Sequence, residues 1–293
     1  YGVGQVLFKA TPLLCTGLAV AVALRGGLLN VGAEGQLGLG ALCMAVCGAA
    51  LPQGTPALLA LPLALSCGAA GGALCGALPG FLKGRFGAHE VITTILLNFV
   101  VRALLVGAGS RLFLRETTHT ARILPAAELP RLSAYLPALH GSALNLALLL
   151  ALLLCAACAY LLARTAPGFA LRAVGQGATA ARVAGIAVER TYLWTLTLSG
   201  ALAGLGGANF VLGYKYYYED GFSAGSGFMG IAVAVLGQGR PAGVLLAALV
   251  FGALSQGGLA INALVPRELV DVLTAVVIAA MAAVLPLSRR LRG

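Results

Sequence analysis

The chain places a carboxylate, Glu34, in the stretch GLLNVGAEGQLGLG between two apolar runs, with Asn30 and Gln36 to either side and Gly32, Gly35 and Gly38 around it. A carboxylate at bilayer depth costs on the order of 3 kcal/mol on insertion scales, so it faces a cavity or a bundle interior and has a task there. Two tasks are open. It can line the path of a polar solute, or it can brace a break between helices whose freed backbone groups must be satisfied inside the protein. Asn98, in EVITTILLNFV, is the second polar group well inside an apolar run, and an amide there suits an interhelical hydrogen bond or the same path. His89 and Glu90 sit at the mouth of that run with no third group for catalysis, and His119 and His140 are not placed to supply one. No catalytic residue is assigned. GSGFMG, residues 225–230, matches GxGxxG only formally, because the strand and later acidic residue of a dinucleotide fold are missing. There is no GxxxxGK[ST] phosphate loop either, so the energy for any transport comes from elsewhere.

The elements that hold these groups follow from composition. With 60% hydrophobic and 10% charged residues in 293, the chain is far more apolar than a water-soluble domain, in which about a quarter of residues are charged. Its apolar runs are about 20 residues long, the length a helix needs to cross ~30 Å of hydrocarbon, and they lack the alternation of a barrel. The fold class is an all-α membrane protein, a polytopic bundle of about eight to nine transmembrane elements with broken or re-entrant helices, in a single domain over 1–293. The chain opens at Tyr1 rather than Met, and an incomplete N-terminus with a preceding span is expected. The net charge of +10 is dispersed over loops and helix ends without an aromatic-interleaved basic face, which argues against nucleic acid. Cys155 and Cys158 form a CxxC with no His or second CxxC nearby, so the cysteines are packing residues and no metal is expected.

Spans are expected at roughly 6–24, 28–50, 57–80, 89–109, 142–163, 191–213, 223–237, 242–262 and 268–286. The seventh is short and opens with GFSAGSGFMG, which suits a half-helix or re-entrant segment. With nine crossings and the C-terminus inside, Arg25, Lys83, Arg85, Arg164, Arg172, Arg182, Arg190, Arg240, Arg289, Arg290 and Arg292 share the cytoplasmic side. Lys9, Arg111, Arg115, Arg122, Arg131, Lys215 and Arg267 lie opposite, four of them in one long loop where the positive-inside rule is weakest, and Arg102 stays within a span. Gly68, Gly72, Gly76 and Gly80 form a stripe of the kind that lets helix backbones approach closely, and Gly200 with Gly204 repeats it. Residues 164–190 are too polar for a span and too Ala-rich for a flexible linker. TAARVA within them reads as a short helix ended by Gly185, a docking element on the cytoplasmic side.

GLLNVGAEGQ, HEVITTILLNF, LRAVGQGATAARVAGI, SGALAGLGGA, GFSAGSGFMGIAVAVLG and VPRELVDV occur in that order. Together they resemble the permease subunits of bacterial ABC importers for nucleosides and simple sugars, most closely the nucleoside type, from about Thr11 to Ala283. The resemblance implies a transport subunit of the bacterial inner membrane, surrounded by membrane lipid and paired with a second permease. Two cytoplasmic ATPase subunits carrying ATP and Mg, and an extracytoplasmic substrate-binding lipoprotein, complete such a system, and this chain itself binds no cofactor. The coupling helix falls on Arg172 to Ile186, where Arg172, Gly175, Ala180, Ala181, Arg182, Gly185 and Ile186 are the expected ATPase contacts. The expected pathway residues are Asn30, Glu34, Gln36, Asn98, Phe210, Ser226, Phe228 and Met229. Three departures stand out: Gly177-Ala178 replaces the family's Asn-Pro, Ser226 and Met229 replace a Tyr and an Asp, and Phe210 takes an often acidic position. Within the resemblance a simple sugar is the alternative cargo. Outside it, a proton-coupled carrier using Glu34 is the rival.

Overall fold

Apolar runs become helices in a computed structural model that describes residues 1–135 and 139–261, with 272 and 276. In chain order the helices are α1 (Gly2–Arg25), α2 (Ala33–Ala50), α3 (Ala57–Phe86), α4 (Glu90–Leu112), α5 (Ala147–Arg164) and α6 (Ala166–Gln176). They continue as α7 (Ala178–Val183), α8 (Val188–Leu205), α9 (Ala208–Val211), α10 (Ser226–Leu236) and α11 (Pro241–Ile261). Among the described residues six are long and apolar enough to cross a bilayer: α1, α2, α3, α4 as far as Gly109, α5, and α11 as far as Leu259. The described residues form no strand, only isolated antiparallel bridges such as Phe113 with Thr120 and His119 with Glu219. This is a multi-pass helical membrane protein. The span expected at 268–286 and the motif VPRELVDV lie outside the described residues.

α1 is the axis. Every residue from Thr11 to Ala23 is buried, the signature of a helix surrounded by protein on all sides. α3 and α8 make the tightest pair. A Cβ at Gly72 would stand 2.2 Å from the Gly200 carbonyl oxygen, and one at Gly76 would stand 2.1 Å from that of Leu196, so the stripe is where the two backbones touch. α2 joins the same contact, with Gly40 packed on the Cα of Gly204.

Several boundaries differ from the sequence expectation for local reasons. The second element begins at Ala33, not 28, because the chain from Gly26 to Gly32 is held in a non-helical path by side-chain bonds described below. α3 runs past 80 to Phe86 and stops at Gly87, whose φ of 67° ends the helix with its N–H on the Lys83 carbonyl. The fifth element starts at Ala147 rather than 142, where the Asn145 side chain caps it through the Ala147 N–H at 2.9 Å. The element at 191–213 divides into α8 and the single turn α9.

The segment at 223–237 contains a half-helix. α10 has 11 residues, about 16 Å of rise, half of a ~30 Å hydrocarbon core. Its C-terminal end lies beside Arg25, at the end of the bundle that carries α6 and α7. The non-helical chain before it starts at the opposite end, where the Thr120 N–H bonds the Tyr218 carbonyl and the Ile123 N–H bonds that of Tyr216. Together the irregular limb and α10 connect the two ends. Irregular backbone at that depth requires protein around it.

Candidate functional site

Glu34 lies in the first turn of α2, and its carboxylate reaches the first turn of α10. Oε2 accepts the Gly227 N–H at 2.7 Å, and Oε1 accepts the Ser223 hydroxyl. One carboxylate therefore sits between two helix N-termini, where unpaired N–H groups and both helix dipoles favour negative charge. The approach requires glycine: a Cβ at Gly227 would stand 2.3 Å from the Glu34 Cα. Gly225, at φ 81°, turns the chain into α10, and the Thr16 hydroxyl of α1 lies 3.1 Å from the Ser226 carbonyl.

The break before α2 is closed by amides. Asn98 accepts the Gly35 N–H at 2.9 Å and donates to the Val31 carbonyl at 2.9 Å, spanning the break from α4. Asn30 donates to Gln36 at 2.7 Å and to Ser199 at 2.8 Å, while its carbonyl oxygen accepts the Gly32 N–H at 2.9 Å. Asn30 and Gln36 are fully buried in this cluster. The freed backbone groups of the break are thus answered inside the chain.

Beside the junction lies a cavity of about 230 Å³, bounded by α2, α4 and the limb before α10. Glu34, Asn98 and Phe228 line it, joined by Phe99, Arg102, Tyr218 and Phe222. Arg102 forms a two-pronged ion pair with Asp220, at 3.0 and 3.1 Å. The aromatic rings continue away from the cavity: Phe222 meets Tyr218 at 5.5 Å and Phe210 at 5.1 Å, and Phe210 meets Phe8 at 5.7 Å. Farther out on the same end, Lys215 pairs with Glu219 at 2.9 Å, a bond that holds its ammonium above the ordinary lysine value.

The expected pathway residues therefore separate. Glu34, Asn98 and Phe228 reach the cavity. Asn30 and Gln36 do not line it and act as buried braces, a correction to their expected place, because all their bonds are made inward. Ser226 and Met229 lie on α10 outside the lining, with the Ser226 hydroxyl turned to the Ser223 carbonyl at 2.5 Å, and Phe210 stands behind Phe222. Arg102, Asp220, Tyr218, Phe222 and Ser223 were not singled out from the sequence. The signal for Arg102 was present as a guanidinium within a span.

At the opposite end, the expected single coupling helix is two helices, α6 and α7, separated by Gly177, with no side chain capping α7. Ala181 is 4% exposed and packs inside the subunit against Val174 and Val188, so it is not the surface contact expected of it. Ile186 packs beside that cluster and Arg172 is half-buried. Gly175, Ala180, Arg182 and Gly185 are exposed, and Arg182 pairs with Glu189. Val183, 87% exposed, and Phe169, 59% exposed, are large apolar groups that α6 and α7 present at this end, and neither is among the expected contacts.

The family described as branched-chain amino acid transport system, permease component, matches residues 2–282. The chain is 39% identical to a guanosine ABC transporter permease of Bacillus subtilis, covering 95% of this chain and 80% of that protein. It is 34% identical to a nucleoside ABC transporter permease of Lactococcus lactis, covering 94% and 78%. It is 35% identical to a glucose ABC transporter permease of Haloferax volcanii, covering 95% and 75%. No solved structure matches the chain.

Proposed function

The chain belongs to the family of branched-chain amino acid transport system permease components, and from that premise we propose that it carries an uncharged solute of the nucleoside class inward, driven by ATP hydrolysed on partner subunits. The observation that carries the choice of solute is that the charged groups of the cavity are already bonded within the chain. Glu34 is spent on the N-terminus of α10, and Arg102 is paired with Asp220. A half-helix N-terminus inside a transporter is where a substrate carboxylate is often held, and here the chain's own carboxylate occupies it. An amino acid, with a carboxylate and an ammonium to satisfy, finds Arg102 already paired with Asp220 and both Glu34 oxygens already bonded. A nucleoside needs aromatic faces and a few polar edges, which Phe99, Phe222, Phe228, Tyr218 and Asn98 supply. Two of the relatives described are named for guanosine and nucleosides.

The same geometry supports the partners. Arg102 faces outward from α4 with 58% of its side chain exposed. A guanidinium facing hydrocarbon costs on the order of 3 kcal/mol, so this face of α4 meets a second permease, which completes the path. The end carrying α6 and α7 holds Arg25, Lys83, Arg85, Arg164, Arg172, Arg182, Arg190 and Arg240, the bias of a cytoplasmic face in a bacterial inner membrane. There α6 and α7, within the 164–190 coupling loop, receive the ATPases that bind ATP and Mg. The opposite end receives the substrate-binding lipoprotein. The relatives are ABC permeases by name, which leaves the proton-coupled rival without support.

The test is uptake in proteoliposomes holding the permease pair, the ATPases and the binding protein. ATP-dependent uptake of radiolabelled guanosine or uridine, unaffected by collapse of the proton gradient and by excess leucine, is expected. Glucose uptake in its place supports the sugar alternative named for the Haloferax relative. Uptake that dies with the proton gradient while ATP is maintained would overturn the proposal.

A further inference from the structure

α10 is held at both ends by one short piece of chain. Glu34 accepts the Gly227 N–H at its N-terminus, and the Arg25 guanidinium donates to the Gly239 carbonyl at 2.8 Å, just beyond its C-terminus. Each charge complements the end of the helix dipole that it meets. Between these two anchors the chain is stiff. The Leu28 N–H bonds the Ala23 carbonyl at 3.0 Å, and Asn30 ties the segment to Ser199, Gln36 and Gly32. The segment from Arg25 to Glu34 thus grips α10 like a bracket.

The bracket rests directly on α6. A Cβ at Gly175 would stand 2.2 Å from the Arg25 carbonyl oxygen and 2.9 Å from the Gly27 nitrogen, so the backbones are in contact with nothing between them. Gly27 has φ +72°, and a Cβ there would lie 3.0 Å from the Gly175 Cα. Leu171 of α6 is fully buried and Val174 nearly so, which fixes α6 against the bundle beneath that contact. Contacts between backbones transmit displacement without the slack of flexible side chains, because packed interiors are close to incompressible.

We infer that the Arg25–Glu34 segment is the lever that carries movement of the coupling segment to α10, with Gly27, Gly175 and Arg25 as its positioning residues. This rests on the reading that α6 and α7 dock on the ATPases. A push on Gly175 moves Arg25 and Gly27 together, and both ends of α10 follow. α10 bears Phe228 in the cavity lining, so its displacement reshapes the solute path.

The test is hydrogen exchange of backbone amides in the assembled complex, permease pair with ATPases and binding protein, with and without ATP, alongside uptake per ATP hydrolysed. In the native complex α6 and α7 are protected by the ATPases, and the amides of α10 change their exchange when ATP is added. Gly27→Ala, outside the coupling segment, keeps the protection and the hydrolysis but loses the response of α10, because its Cβ meets the Gly175 Cα. Uptake per ATP falls about tenfold, within the ~5–150-fold range of coupling free energies. Arg25→Met, which adds no volume and carries no donor for the Gly239 carbonyl, gives the same loss and decides the matter alone if Gly27→Ala does not assemble. An α10 response that survives in Arg25→Met or in an assembled Gly27→Ala overturns the lever, as does a native α10 that ignores ATP while α6 and α7 are protected. Absence of that protection in the native complex instead overturns the docking reading on which the lever rests.

Discussion

Two helix pairs in this bundle meet through glycine, and they are built for different purposes. α3 and α8 touch along Gly72, Gly76 and Gly200 by backbone against backbone, with no side-chain hydrogen bond between the two helices among those described. α2 and α10 touch through Gly227, but the contact is fastened by a carboxylate that bonds a backbone N–H and a hydroxyl. The first contact depends on continuous close packing and has one arrangement. The second is a few directed polar bonds beside a cavity, which fasten α10 to one segment of chain. A transporter needs both kinds: a frame that does not move and a junction that ties the moving helix to what moves it.

Breaking the frame gives the largest effect. Gly72→Leu drives a side chain into the Gly200 carbonyl, which a Cβ alone would approach to 2.2 Å. Overpacking ordinarily costs about 1–3 kcal/mol, and here the obstacle is backbone that cannot rotate away, so the cost exceeds that range. The expected outcome is loss of monodisperse protein in detergent, read by size-exclusion chromatography and by yield. A Gly72→Leu protein that purifies and transports normally contradicts the packing described.

Breaking the junction is milder and separates charge from hydrogen bonding. Glu34→Leu leaves the Gly227 N–H without its partner, a penalty of about 1–3 kcal/mol, and folded protein with uptake reduced at least about tenfold is expected. Glu34→Gln keeps both bonds: its oxygen accepts the Gly227 N–H, and its amide donates to the Ser223 hydroxyl, which turns from donor to acceptor. Only the charge–dipole part is lost, about 0.3–1 kcal/mol. Uptake of Glu34→Gln within a few-fold of native is therefore expected. Equal loss in both variants would show that the charge itself is needed.

The frame was more legible in the sequence than the junction. Glycines four residues apart announce a close helix contact from local spacing alone, although the partner helix is not written there. The break at Gly32 and the odd position of Glu34 were equally visible, because both are local. What no local pattern carries is that Gly227 arrives over Glu34 from 193 residues away. Asn30 and Gln36 were misplaced for a related reason: polar residues near a carboxylate suggest a lining, and only the position of Ser199 shows that Asn30 points inward. Ala181 is a different case. Val174, Ala181 and Val188 recur at intervals of seven and bury together, while Val183 faces out. That spacing is written in the sequence, but it crosses from α6 through α7 to α8, so it does not read as one helix face.

The Arg102–Asp220 pair sharpens the comparison from a third side, with the smallest effect. Like Glu34, Asp220 is a carboxylate beside the cavity, but its partner is a side chain rather than a backbone N–H. A backbone donor is fixed by the helix that carries it, so Glu34 cannot change places with anything. A guanidinium and a carboxylate can be exchanged. The pair is partly exposed, and such pairs contribute about 0–1 kcal/mol to stability, so single substitutions leave the fold intact. Asp220→Asn leaves the Arg102 charge uncompensated in a lining that suits an uncharged solute, and uptake is expected to fall about two- to fivefold, the equivalent of less than ~1 kcal/mol. The double exchange, Arg102→Asp with Asp220→Arg, restores the neutral pair and returns uptake toward native in the proteoliposome assay. Failure of the exchange to recover more than Asp220→Asn alone would mean that the orientation of the pair matters, as it does for Glu34, and the distinction between backbone-fixed and exchangeable carboxylates would fall.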